Sequence, residues 1–125
     1  MRFYHYLIIV SCLFLLSFSG LQNPIHKEWR LVAEEISYFN FDYTPYTDAR
    51  SRLDSVQNEK FQFLPDGSFI SSEGKGTYVL VKDSIHLRLN GVNRFIRYEI
   101  NDSKLILESH FKESKYIVRS KLYLE

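Results

Sequence analysis

One cysteine, Cys12, stands in this chain of 125 residues, and it falls inside an N-terminal apolar run. If that run is removed, what remains has neither a disulfide framework nor a thiolate to hold a metal. An excess of charge of one sign is also missing. Loss of Arg2 with a leader leaves fifteen basic and fifteen acidic residues, interleaved throughout. Nucleic-acid binders usually carry a basic stripe, so nucleic acid is excluded as a partner. No apolar run reaches the about 20 residues of a membrane span, and no long helical pattern follows residue 20.

The N-terminus reads as a leader. A short, weakly basic start, Met1 to Tyr6, precedes the apolar run Leu7 to Phe18, and the small residues Ser17, Ser19 and Gly20 follow. Translocation needs that order, because the apolar stretch enters the translocon and small residues fit the peptidase. Residues 1–19 are expected to be a signal peptide cut after Ser19, with a cut after Gly20 as the neighbouring choice. Export to the periplasm or beyond the cell follows. Ile9-Val10-Ser11-Cys12 also matches a bacterial lipobox, although the apolar run continues past the cysteine. Lipidation at Cys12, giving an outer-membrane lipoprotein, is the minority reading and the only route to membrane attachment. Residues 20–125 are one domain by size.

Aromatic residues are plentiful, and between Lys60 and Glu125 apolar residues recur at every second position. That is the period of a half-buried strand. The runs are separated by Pro65-Asp66-Gly67, Lys82-Asp83, Asn90-Gly91, Asp102-Ser103 and Glu113-Ser114. Such short connections make neighbouring strands antiparallel. The pattern predicts strands over 29–39, 60–64, 68–72, 77–81, 84–89, 94–100, 104–111 and 115–124. The fold class is therefore all-β, an up-and-down meander of about eight strands, a number suited to a closed barrel.

Pairing across the turns tests the register. Leu80 then faces Ile85, Tyr78 faces Leu87, Leu87 faces Ile96, Ile85 faces Tyr98, Ile100 faces Leu105, Tyr98 faces Leu107, and Phe111 faces Tyr116. One face collects these apolar residues with Val118 and Leu122. The other collects His86, Arg88, Arg97, Glu99, Glu108, His110, Arg119 and Lys121, with Phe95, Ile106 and Ile117 as apolar exceptions. A slip of one residue would exchange the two sets. Residues 40–59 break the regularity: 43–48 are turn-like, and 49–57 suit a short helix capped by Asp48. This long loop between the first and second strands belongs at a barrel mouth.

Five stretches carry a resemblance. They are Lys27-Glu28-Trp29-Arg30-Leu31-Val32, the Phe61-to-Phe69 hairpin around Pro65-Asp66-Gly67, Gly76-Thr77-Tyr78, Ser84-Ile85-His86-Leu87, and Lys104-Leu105-Ile106-Leu107. Together they resemble the lipocalin-like proteins exported by bacteria, in particular small members of the kind common in Bacteroidetes. The resemblance implies a barrel closed by its last strand against its first, with a long first loop over the mouth. Lipocalins proper have Gly where this chain has Lys27. They also pack a late Arg on the early Trp, which makes Arg119 on Trp29 the expected structural latch.

Catalytic constellations are absent. There is no Gly-x-Ser-x-Gly elbow, and no exported Cys stands ready to pair with a His. His26, His86 and His110 are not spaced to converge on a metal. Glu34 and Glu35 are adjacent, so in a strand they point to opposite faces and make a poor acid–base pair. Glu35 shares the face of Trp29 and Leu31 unless the strand is bulged. The expectation is a non-enzymatic, monomeric binder without cofactor or metal. It would hold a small apolar or amphipathic molecule among Tyr43, Tyr46, Tyr78, Tyr98, Tyr116 and Phe111, the tyrosine hydroxyls orienting a polar group. Its rival is a packed barrel that works as an envelope interaction or structural protein through Tyr43, Tyr46 and their loop.

Overall fold

A computed structural model describes residues 23–125. The candidate leader, its cut after Ser19, and Cys12 lie outside the described residues. Nine strands follow in order: β1 (Glu28–Phe39), β2 (Arg52–Ser55), β3 (Lys60–Phe63), β4 (Ser68–Ser71), β5 (Gly74–Val81), β6 (Ser84–Leu89), β7 (Val92–Asn101), β8 (Lys104–Lys112) and β9 (Ile117–Leu124). Every pairing is antiparallel, and β3 to β9 run consecutively. β1 joins β3 on one side and β9 on the other, which closes an eight-stranded barrel with β2 as an extra strand. At the lower end the closure is reciprocal: the Arg30 and Glu125 amides each donate to the other's carbonyl at 2.9 Å. Closure leaves few free edges, the usual hazard of a single oily sheet.

The turns show why the chain reverses where it does. Asn90 and Gly91 take φ of 52° and 77°. Two successive positive values define the tight hairpin that matches strand twist. That hairpin is shorter than expected, so Leu87 stands opposite Arg94 and Ile85 opposite Ile96. The Glu113-Ser114 hairpin is instead longer than expected, so Phe111 stands opposite Val118, not Tyr116. Both corrections shift the register by two residues, an even number, so every side chain keeps its expected face. The pairings across Lys82-Asp83 and Asp102-Ser103 are as expected.

At Pro65-Asp66-Gly67 the Asp66 carboxylate accepts the Ser68 amide at 2.8 Å. That backbone bond, then the Ser68 side chain, holds the Asp66 carboxyl below its usual value. A lowered folded value contributes stability above the unfolded pKa of about 4, and the contribution is lost as pH falls through the folded value. Asp66→Ala is therefore expected to lower the urea midpoint at pH 7 and to shrink its decline between pH 5 and pH 2. An unchanged acid decline would count against this role.

Two departures concern β1 and the segment after it. The pairing of β1 with β9 shifts between Leu31 and Ala33, a β-bulge that takes up one residue. Below it Trp29 and Leu31 point inward; above it Glu34, Ile36 and Tyr38 do. The expected helix over 49–57 is not there. Arg52–Ser55 instead pairs with Ile36 to Ala33. With β3 it makes one interrupted strand along β1, whose break at 56–59 faces the bulge through Val56 N to Val32 O and Leu31 N to Glu59 O. The long loop thus contains a strand, and its irregular part sits over the upper end.

The core is concentrated in the lower half. Ile25, Trp29, Phe63, Phe69, Tyr78, Ile85, Leu87, Leu105, Leu107 and Leu124 form one buried cluster. Phe63 touches Phe69 and Tyr78 at centroid distances of 5.0 and 5.1 Å, in the tilted and edge-on geometries that aromatic pairs favour. The segment before β1 closes this end from below, with Ile25 fully buried and its carbonyl accepting the Trp29 Nε1 proton at 3.0 Å.

Candidate functional site

The six candidate ligand residues separate into three places. Tyr78 and Tyr98 belong to the lower half, and their hydroxyls are already used. Tyr78 donates to the Leu64 carbonyl at 2.6 Å and Tyr98 to the Lys82 carbonyl at 3.2 Å. Each ties a strand to the turn beside it. Burial, and then the charge of Asp66, hold the Tyr78 phenol above its usual value. Each hydroxyl thus spends its one proton on a backbone carbonyl and keeps only acceptor capacity.

Tyr46 and Tyr116 meet at the upper rim, and Phe111 stands near the upper end of β8. Tyr116 packs on Tyr46 at 5.2 Å and edge-on against Tyr38 at 5.4 Å. The Tyr46 amide donates to the Tyr38 carbonyl at 3.1 Å, which brings the loop back over the top of β1. Phe111 continues the inward face of Leu105 and Leu107 but is 47% exposed, so it is rim and not core. Sequence reading missed Tyr38, because the bulge that turns it inward was not placed.

Tyr43 goes elsewhere. Its φ of 64° turns it out of the loop, and its ring lies 6.0 Å from Phe39 and 5.7 Å from His110 on the outer wall. Its hydroxyl is 3.3 Å from His110 Nδ1. The same wall carries a run of charged groups. His110 Nε2 is 3.6 Å from Glu108, while Arg119 is 3.8 Å from both Glu108 and Glu35. Tyr123 donates to Glu35 at 2.8 Å. That bond to a carboxylate, with burial second, raises the Tyr123 phenol above its usual value.

The expected Arg119 latch on Trp29 is corrected. Arg119 lies over Phe39, 4.8 Å from the ring centroid, whereas Lys27 Nζ sits 4.0 Å from the centre of the Trp29 ring. The reason is strand phase. Lys27 and Trp29 are two residues apart at the entry to β1, while Arg119 pairs with Ser37 beyond the bulge and points outward. A cation over an indole contributes about 0.5–1 kcal/mol at an exposed site.

The upper half also has an open seam. β7 and β8 pair only from Arg97–Glu108 downward. Above that point β7 is held by β6 and β8 by β9 alone. The inner wall at this height mixes apolar and polar groups: Ile36, Val118 and Leu122 with Glu34, which accepts from the Ser120 hydroxyl at 3.4 Å. Arg94 stands on the facing strand, on the side of Ile96 and Tyr98. A separate open pocket of about 250 Å³, lined among others by Glu28, Lys60, Gln62 and Ile70, contains none of the six candidates.

Among the described residues no group of three or more His, Cys, Asp and Glu side chains is placed to hold a metal ion. Comparison of the chain with protein families, with curated proteins and with solved structures finds no significant match. The functional reading therefore rests on this geometry.

Proposed function

We propose that this is an exported, lipocalin-like, non-catalytic protein that binds a small amphipathic molecule in the upper half of its barrel. The observation that carries the reading is the open β7–β8 seam beside an aromatic rim. Phe111, Tyr116, Tyr46 and Tyr38 offer rigid aromatic surface at that end, and the polar groups on the inner side are Glu34 with Ser120 on β1 and β9, and Arg94 on β7. Ligand sites commonly combine mostly apolar lining with a few placed polar groups. The lower half is filled by its own side chains, so the ligand would enter no deeper than the level of Leu122.

The test is an equilibrium titration of the full chain with a naphthalene-sulfonate dye that fluoresces in apolar surroundings. Saturation at one dye per chain is expected. Tyr116→Ala and Phe111→Asp should each weaken it about tenfold, the cost of losing one buried anchor. Phe95→Ser, on the outer wall, should leave it unchanged. Failure to saturate, or equal loss in all three variants, would favour the rival reading of a packed barrel that works through its loop surface.

A further inference from the structure

The outer wall of β5, β6 and β7 carries a feature that the rim does not explain. Val79, His86 and Phe95 stand in one cross-strand row. Val79 is 62% and Phe95 70% exposed, and Val81 in the next row is exposed as well. The His86 ring is held edge-on to Phe95 at 4.7 Å. The wall is otherwise covered by charged, hydroxyl and amide side chains, and among the described residues nothing packs over these three apolar residues.

The flanking rows are cationic. Above lies Thr77–Arg88–Asn93, and below lies Val81–Ser84–Arg97. Arg88 makes no ion pair among the described residues, and Arg97 is 3.6 Å from the exposed Asp83. Lys75 continues the cationic side upward on β5. The acids near the patch are Asp83 and Glu99 at its lower edge and Glu108, which stands opposite Arg97 on β8, so Arg88 and Lys75 are the cations farthest from a carboxylate on this wall.

We propose that this wall docks on an anionic phospholipid surface, with Phe95 and Val79 entering the headgroup boundary and Arg88 and Arg97 pairing with phosphates. Aromatic and aliphatic side chains ringed by arginines are suited to that interface, where buried apolar area and attraction to anionic lipid add together. A protein partner fits less well. Three projecting apolar residues on a convex wall fall far short of the roughly 20–30 residues a side of a stable protein interface. A bilayer presents the same weak contact at every point, so a small patch suffices. The proposal stands independently of ligand binding in the barrel.

The test reads the patch itself, because an apolar N-terminal run would carry the full chain to lipid by another route. Phe95→Trp in the full chain is mixed with vesicles of phosphatidylglycerol and phosphatidylcholine bearing brominated acyl chains, which quench indoles only at short range. Lys121→Trp, on the wall formed by β9, is the control, and the buried native Trp29 is common to both. Quenching several-fold greater for Phe95→Trp than for Lys121→Trp is expected. Adding Arg88→Glu should raise the lipid needed for half of that quenching about twenty-fivefold, from two unit charges at about fivefold each. Equal quenching at the two positions, no quenching at position 95, or indifference to Arg88→Glu would each overturn the proposal.

Discussion

Trp29→Ala is expected to lower the unfolding free energy by about 3–5 kcal/mol, the range for truncating a large buried aromatic. Trp29 has no exposed surface and sits where the entry segment, β1 and the last strand meet. Three losses coincide there. The ring leaves a cavity among Leu31, Phe63 and Leu124; the Ile25 carbonyl loses its 3.0 Å donor; and Lys27 loses the face it covers. Without that hydrogen bond Ile25 is no longer drawn under the barrel, so the lower end opens to water. Trp29→Phe separates the terms. It keeps most of the apolar volume and deletes the donor, and should cost about 1–3 kcal/mol. Urea unfolding followed by far-ultraviolet circular dichroism measures both. A loss under 1 kcal/mol for the alanine variant would show that the lower end does not depend on this side chain.

Gly76→Ala should be nearly as damaging, at about 3 kcal/mol, although it adds only a methyl group. A Cβ at position 76 would lie 2.2 Å from the Arg88 carbonyl oxygen. That atom is backbone, so no rotamer change relieves the contact; β5 and β6 must separate. Overpacking of this kind usually costs about 1–3 kcal/mol and more where backbone must move. Phe69 stands opposite Gly76 on β4, so a rearranged β5 disturbs the core on its other side as well. Gly91→Ala is the matched comparison. Its Cβ meets nothing within 4 Å, but its φ is 77°, so it carries only left-handed strain of about 1–2 kcal/mol. Denaturant midpoints should rank Gly76→Ala well below Gly91→Ala, and the reverse order would mean that the two strands part easily.

Faces were legible from the sequence because alternation survives even-numbered errors. The Asn90-Gly91 and Glu113-Ser114 hairpins both came out two residues from the expected register, yet Tyr98, Leu107 and Val118 kept their side of the sheet. The bulge in β1 left a trace that was readable in principle. Apolar residues at 29 and 31 give way to 36 and 38, an odd-to-even change of phase that a regular strand cannot make. It decides the site, since it turns Glu34 inward and sends Glu35 out to Tyr123. β2 left no such trace. All four residues of Arg52–Ser55 are exposed, so neither face imposes a pattern, and the strand exists only because β1 offers it an edge. The tyrosines show a different limit. Sequence placed Tyr78 and Tyr98 on the inner face, but not which carbonyl each hydroxyl would find, because that depends on the turn folding back beside the ring.

The closing seam has a consequence for how the molecule comes into being. Arg30 and Glu125 are 95 positions apart and bonded side chain to side chain, and the edge of β1 opposite β2, from Leu31 to Phe39, finds its partner only in Leu124 to Ile117. Hairpins along the meander can zip from local contacts, but the ring is completed by its two most distant segments. Pairings so remote in sequence are made late and slowly. Until then one edge of β1 stays bare and able to accept a strand from another chain. The interval before the final strand arrives, more than the finished barrel, is when this protein is most exposed to misassembly.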